Sequence, residues 1–489
     1  MKTVLLLIAG AALAATGGRA AAEPAKPLNV LLLISDDCRA VQSCYGAPAR
    51  TPNIDRLAQR GVRFDRAYCQ YPLCNPSRSS FLTGLRPDTS GVTDNQTRFR
   101  DRRPQTVTLP ELFKTSGYFV ARVGKMYHYG VPKEIGTDGL DDPMSWEKVV
   151  NPRGRDCDDE DKIFSIVTGE KAKVAVGSGN YGGTLSWLAS EGADIEQTDG
   201  KIAQEACRML REHKDKPFFL GVGFFRPHTP YVSPKKYFGL YPQESLALAR
   251  VPEGDREGKP AAALTVKPAH YGMDEAQQRA VMQAYLASVS FMDAQFGVVL
   301  DELERLGLAS NTVVVYMSDH GYHLGEHGQW QKMTVFEEAA RVPLIIAAPG
   351  MKAVGKSSAR LAELVDLYPT LADLCGLKAP EDLEGVSLRP LLDDPARAWK
   401  KGAFTQVIHG RKGGRVDGQK GKPTSVGLSV RTERYRYTEW GEGQDGAELY
   451  DHDSDPLELR NLAAEPGSAA VAQELKALLR GGWKGAKPQ

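Results

Sequence analysis

Five short apolar runs, at 29–35, 118–123, 218–224, 312–318 and 342–347, are spread along the chain, and helical patterns lie between them at 53–60, 200–213, 275–306 and 361–374. A run of six or seven wholly apolar residues reads as a strand buried on both faces. Strands alternating with helices imply a mostly parallel sheet flanked by helices. Four of the five runs end in groups able to do chemistry. The first is followed by Asp36-Asp37, the second by Gly124-Lys125 with His128 three residues on, the third by Arg226-Pro227-His228, and the fourth by Asp319-His320. Ligands of a parallel α/β sheet sit beyond the carboxyl ends of its strands, so these four segments are expected to converge.

The 489-residue chain has a net charge of +1, which supplies no global field for nucleic acid or membrane, so anion recognition has to be local. Lys2, an apolar run over 4–15 too short to span a bilayer, and Ala20-Ala21-Ala22 form a secretory signal over residues 1–22. The mature chain is then secreted or periplasmic, with no membrane attachment. Seven cysteines without a CxxC pair do not make a disulfide scaffold. After Leu392 the pattern changes. A basic, glycine-rich stretch at 411–422 is followed by alternating segments at 428–431 and 434–440, a short run at 447–451, and a helical pattern at 469–479. Residues 23–395 are therefore expected to form one large domain, and 396–489 a smaller α+β unit with an antiparallel sheet.

Cys74 opens the run Cys74-Asn75-Pro76-Ser77-Arg78. Pro76 suits a first helical turn and Gly84 its end, which places Cys74 at a helix N-terminus, where anions are favoured. A buried structural cysteine is the bland alternative. Asp36, Asp37 and Asp319 are hard oxygen donors that repel one another unless a cation joins them. His323 and His327 lie four apart, but three glycines within eight residues argue against a helical zinc pair and for a loop. Arg98, Arg100, Arg102 and Arg103 crowd one loop and offer a partner for a substrate carboxylate.

The segments 74–88, 123–128, 226–231, 318–328, 429–440 and 446–456 together resemble the formylglycine-dependent type I sulfatases. Most of that family carry Asn where His320 stands. His resembles the subset of iduronate-2-sulfatases, choline sulfatases and phosphonate monoester hydrolases, the first being the nearest type. The resemblance implies an alkaline-phosphatase-like sandwich, with a large mostly parallel central sheet flanked by helices. It implies that a maturation enzyme converts Cys74 to formylglycine, and that Asp36, Asp37, the modified Cys74, Asp319 and His320 bind one Ca²⁺, with Mg²⁺ as the other hard cation. It implies that Arg78 and Lys125 hold the formylglycine and sulfate, that His128 contacts the formylglycine hydroxyl, and that His228 and Lys332 bind sulfate and assist the leaving oxygen. The expected substrate is a sulfated oligosaccharide, with a uronic acid 2-O-sulfate as the target. Phosphonate or phosphate monoester hydrolysis, choline sulfate hydrolysis and an inactive glycan-binding protein are the rival readings.

Overall fold

In a computed structural model of the chain, residues 26–179, 181–409 and 425–488 are described. The expected signal segment, residues 1–22, and the basic stretch at 411–422 lie outside them. No described helix is long and apolar enough to cross a membrane.

The apolar runs form the centre of a nine-stranded sheet. Its order is Arg341–Val342, Val62–Tyr68, Leu344–Ala347, Thr312–Ser318, Asn29–Ser35, Phe218–Gly223, Phe119–Gly124 and Lys148–Val150, and Lys356–Glu363 pairs with Val62–Tyr68. The strands Thr312–Ser318, Asn29–Ser35, Phe218–Gly223 and Phe119–Gly124 are mutually parallel, as expected. Leu344–Ala347 runs antiparallel to Thr312–Ser318 on one side and to Val62–Tyr68 on the other, so the sheet is mixed. All seven residues of Asn29–Ser35 and all seven of Thr312–Ser318 are buried, because helices cover both faces. The longest helix, Glu275–Arg305, is capped by Asp274 and Gln277 in a reciprocal capping box.

Four-residue strands and other short pieces add a second, four-stranded sheet from Phe164–Val167, Lys173–Val176, Ser186–Ser190 and Tyr231–Pro234. A four-stranded antiparallel sheet follows near the C-terminus: Ala403–His409, Ser425–Arg431, Tyr435–Trp440 and Ala447–Asp451. The helix Ala469–Gly485 packs on it through Leu475 and Leu479.

One helical expectation is corrected. Residues 361–363 belong to the strand Lys356–Glu363, and the helix starts only at Leu367. Alternation wins there: Ser358, Leu361, Ala362 and Glu363 are buried while Lys356, Ser357 and Ala359 are exposed, on a strand with a bulge between Ser358 and Leu361.

Candidate active site

Register explains why distant segments meet. Ser35 pairs with Ser318, Ile34 with Gly223, and Gly124 with Gly223. The next residues, Asp36, Asp319 and Lys125, therefore leave the sheet side by side at one edge. Gly124 has φ +72, and a Cβ there would lie 2.2 Å from the Gly223 carbonyl oxygen, so only glycine lets the chain turn out at this point. Asp37 has φ 63, a left-handed conformation that a short polar side chain tolerates.

Cys74 is the first residue of the helix Cys74–Thr83, whose ten residues are all buried, and Gly84 ends it in the left-handed conformation. Both sequence-based assignments of these ends hold. The helix start points at the sheet edge. Cys74 Sγ lies 3.7 Å from Asp37 Oδ1, 3.4 Å from His320 Nε2 and 3.3 Å from Lys332 Nζ.

Arg78, one turn further on, organises the carboxylates. Its Nε donates to Asp319 Oδ2 at 2.9 Å, Nη2 to Asp36 Oδ1 at 3.1 Å, and Nη1 to the carbonyls of Lys125 and Met126 at 2.6 and 3.1 Å. Lys125 Nζ reaches the other oxygen of Asp36 at 2.5 Å. Asp319 Oδ1 accepts from the backbone N–H of Asp37 and of His320 at 3.1 and 3.0 Å.

The histidine tautomers follow from their neighbours. His320 Nδ1 lies 2.9 Å from the Gly321 carbonyl and His228 Nδ1 2.6 Å from that of Thr229. A carbonyl only accepts, so both Nδ1 atoms carry hydrogen. The Nε2 atoms therefore face the site, that of His320 3.2 Å from Asp37 Oδ1 and that of His228 3.8 Å from Asp37 Oδ2. His128 Nδ1 is buried without a hydrogen-bond partner among the described residues.

Lys332 is aimed by strain on both sides. Gln331 and Met333 have φ of 67 and 71, and the Met333 N–H is tied to the Pro72 carbonyl at 3.2 Å. Its ammonium sits 2.5 Å from Asp37 Oδ1.

Burial and ion pairing set the charges. Burial raises the Cys74 thiol pKa, but Lys125, Lys332 and His320 outweigh it and hold the group well below its ordinary value. Burial and Cys74 push Asp36 up, yet Lys125, His228 and Arg78 leave it far below the usual carboxylate range. Burial lifts Asp319 to about 6 despite His320 and Arg78. His128 is lowered, chiefly by burial.

The catalytic and metal-ligating candidates Asp36, Asp37, Cys74, Arg78, Lys125, His128, His228, Asp319, His320 and Lys332 are thus gathered at one sheet edge. Two sets of donor atoms lie within 4.8 Å of one another: Asp36, Asp37, Cys74 and His228, and Asp36, Cys74, Asp319 and His320. Three buried carboxylates with an inward-facing imidazole fit a hard divalent cation. His323 and His327 do not join them. They lie in and beside a short hairpin, His323–Leu324 with Trp330–Gln331, and bond instead to Thr334 and Asp255. Sequence reasoning missed Tyr285, whose hydroxyl donates to the Asp37 carbonyl at 2.9 Å, and Asn75, which clamps the 94–97 loop. A tyrosine inside a long helical pattern carries no signal of such a role.

A cysteine at a helix start, ringed by lysines, histidines and paired carboxylates, is the arrangement expected above. The sulfatase family model matches residues 28–377, and a model of the N-sulphoglucosamine sulphohydrolase C-terminal region matches 325–482. The chain belongs to the sulfatase family. It is 32% identical to the iduronate 2-sulfatase of Mus musculus, covering 92% of this chain and 93% of that one. It is 34% identical to the iduronate 2-sulfatase of Homo sapiens, covering 89% and 91%. The phosphonate monoester hydrolase of Silicibacter pomeroyi shares the fold with a TM-score of 0.76 at 23% identity, covering 93% of this chain and 95% of that one. The protein is a sulfuric ester hydrolase, with the alkaline-phosphatase-like fold of its relatives.

Proposed function

We propose that this sulfatase removes the 2-O-sulfate of a uronic acid at the non-reducing end of a glycosaminoglycan fragment, using a formylglycine made from Cys74. The observation that carries the chemistry is the placement of Cys74 Sγ within 3.7 Å of Lys332, His320 and Asp37 at a helix start. The substrate reading rests on likeness to the mammalian iduronate 2-sulfatases over about nine-tenths of both chains.

A single Ca²⁺, or Mg²⁺ in its stead, held by Asp36, Asp37, residue 74, Asp319 and His320, would acidify a neighbouring hydroxyl and offset sulfate charge. The other roles belong to the chain. Hydrated formylglycine offers two hydroxyls. One, ionised beside Lys125 and Lys332, attacks sulfur, and the bond from sulfur to the sugar oxygen breaks. Lys125 and Lys332 stabilise the charge growing on the sulfur-bound oxygens. His228, with Nδ1–H fixed on the Thr229 carbonyl, gives its Nε2 proton to the departing alcohol. His128, kept neutral by burial, takes the proton of the second hydroxyl; the C–O bond to sulfate then breaks and the aldehyde returns. Arg78 fixes the carboxylates throughout.

On this reading residues 1–22 are a signal peptide, 23–395 the catalytic domain and 396–489 a C-terminal subdomain of a secreted or periplasmic enzyme, and a formylglycine-generating enzyme is its maturation partner. The test is desulfation of heparin- and dermatan-derived disaccharides. Release of 2-O-sulfate, with 6-O- and N-sulfate left in place, is expected. Preference for choline sulfate, for a 6-O-sulfated hexosamine, or for an aryl phosphonate over an aryl sulfate would overturn the substrate assignment, and no turnover on any ester would favour a glycan-binding role.

A further inference from the structure

A uronic acid presents a carboxylate across the ring from its 2-O-sulfate, and the cations around Cys74 are already engaged inward. Lys125 is on Asp36 and Lys332 on Asp37, while Arg78 bridges Asp36 and Asp319. A carboxylate reader has to come from the rim.

The arginine-rich loop after the Cys74 helix divides sharply. Arg100 is closed off: it pairs with Asp142 and Glu111 at 2.8 and 2.7 Å and donates to the carbonyls of Pro104 and Thr106. Arg103 Nε is turned away to the Thr89 carbonyl at 2.7 Å. Arg102 lays its stem over the Gly91 turn, where a Cβ on Gly91 would meet its Cγ at 3.3 Å. Arg98, exposed like Arg102 and Arg103 and like them without a carboxylate partner among the described residues, differs in where it reaches: its Nη1 lies 3.4 Å from the Asp141 carbonyl.

Three ties place Arg98 beside the site. Asn75, the neighbour of Cys74, donates from Nδ2 to the carbonyls of Asp94 and Thr97 at 2.8 Å each, and from its backbone N–H to Asn95 Oδ1 at 3.1 Å. Thr97 immediately precedes Arg98. On the other side Phe99 stacks on Tyr127, ring centroids 5.8 Å apart, and Tyr127 immediately precedes His128. Finally, the Leu140 N–H donates to the His128 carbonyl at 2.9 Å, which brings the Asp141 contact of Arg98 to the same rim. Arg98 is thus anchored between the backbone of the nucleophile and that of His128, with no acid paired to its guanidinium among the described residues.

We infer that Arg98 is a specificity residue that holds the substrate's uronate carboxylate. The inference rests on the uronate reading above and adds the residue that enforces it. A planar guanidinium offers a carboxylate two parallel N–H donors, a geometry that a lysine cannot supply.

The experiment compares kcat/KM of the mature enzyme on a 2-O-sulfated uronate disaccharide and on its carboxyl-reduced counterpart, for the wild type, Arg98→Gln and Arg98→Lys, with melting temperatures recorded for each. The wild type should favour the carboxylate form by about 10- to 100-fold, the range of a charge-assisted pair. Arg98→Gln should bring the two substrates to near equality, and Arg98→Lys should fall between. A wild-type preference that survives Arg98→Gln in a folded variant overturns the role of Arg98. Equal wild-type rates on both substrates overturn the carboxylate subsite while leaving the sulfate position standing. A wild type inactive on either 2-O-sulfate refutes the uronate reading itself, and that result shows without any variant.

Discussion

Among the described residues, two clusters of carboxylate, histidine and guanidinium have donor atoms close enough for a metal. The first is the Cys74 site. The second joins the catalytic region to the C-terminal sheet: Glu337, His452 and Glu458. In the second, Arg436 donates to Glu337 Oε2 at 2.5 Å and to Glu458 Oε1 at 2.6 Å. Arg431 lies 3.4 Å from Glu337, and His452 Nε2 lies 3.0 Å from Glu458. The Glu337 N–H and the Tyr68 hydroxyl also donate into the pair. Its carboxylates are matched by guanidiniums, with Arg436 bridging both, so it reads as a structural clamp. The Cys74 cluster differs in the groups it holds rather than in exposure, since Glu337 and His128 are both 8% exposed. Beside its paired carboxylates stands a thiol at a helix start, with Lys332 Nζ 3.3 Å from the sulfur. Charge complementarity alone therefore does not mark a catalytic site; a nucleophile set among the charges does.

The contrast makes unequal demands on the two regions. The largest effect expected is at Cys74. Cys74→Ala should lower kcat on an aryl sulfate by at least roughly 10⁴-fold, as loss of a nucleophile does, while thermal melting and circular dichroism stay close to wild type. Retained turnover in that variant would break the distinction from the catalytic side. Next comes the metal. Chelation should abolish most activity and lower the melting temperature by several degrees, because an ion bound only by the folded state stabilises it. Calcium should restore both, and stoichiometric zinc with indifference to calcium would refute a hard-cation site.

At the junction the pattern should reverse. Glu458→Gln leaves the buried Arg436 with one carboxylate of its two, so a stability loss of about 3–5 kcal/mol is expected in denaturant titration. The kcat of the folded fraction should change little. A large fall in kcat with stability intact would mean that the junction serves the chemistry directly.

Acid should separate the two regions more gently. Burial opposes ionisation of Glu458, but Arg436 and His452 outweigh it and hold its pKa at about 2; Glu337 is depressed in the same direction. A depressed carboxylate contributes stability above its unfolded value near 4.5, and that stability is lost as pH falls toward the folded value. The clamp should therefore weaken only between about pH 4.5 and 2. His128 is also lowered, so the basic form it needs should be lost below its ordinary value of 6.5. Activity on an aryl sulfate should fall reversibly on the acid side before the melting temperature does. Coincident loss of both would contradict separate titrating groups.

Much of this was legible from residue order. The runs at 29–35 and 312–318 are long, apolar throughout their middle five residues and followed at once by acids, so strand, parallel sheet and site edge could be read together. Cys74 was legible because Pro76 and Gly84 bracket a helix. The strand Val62–Tyr68 was not, since Arg63, Asp65 and Arg66 interrupt its apolar pattern on the half-buried side. Lys356–Glu363 was missed because a bulge shifts its alternation by one. The division among the four arginines was equally hidden: only the fold brings Asp142 and Glu111 to Arg100 and sets Arg98 next to the segment that Asn75 clamps. Nor could the junction clamp be anticipated, as Glu337 and Arg436 are 99 residues apart.

The account turns on what stands at position 74 in active enzyme. Tryptic digestion yields the peptide 67–78, which holds both Cys69 and Cys74. Cys69 is an internal control, its thiol held protonated by burial. Mass spectrometry should find one thiol, at residue 69, and one aldehyde, at residue 74. Across preparations matured to different extents, sulfatase activity should rise in proportion to the aldehyde fraction and extrapolate to zero without it. A preparation with both thiols intact and full activity would contradict the account.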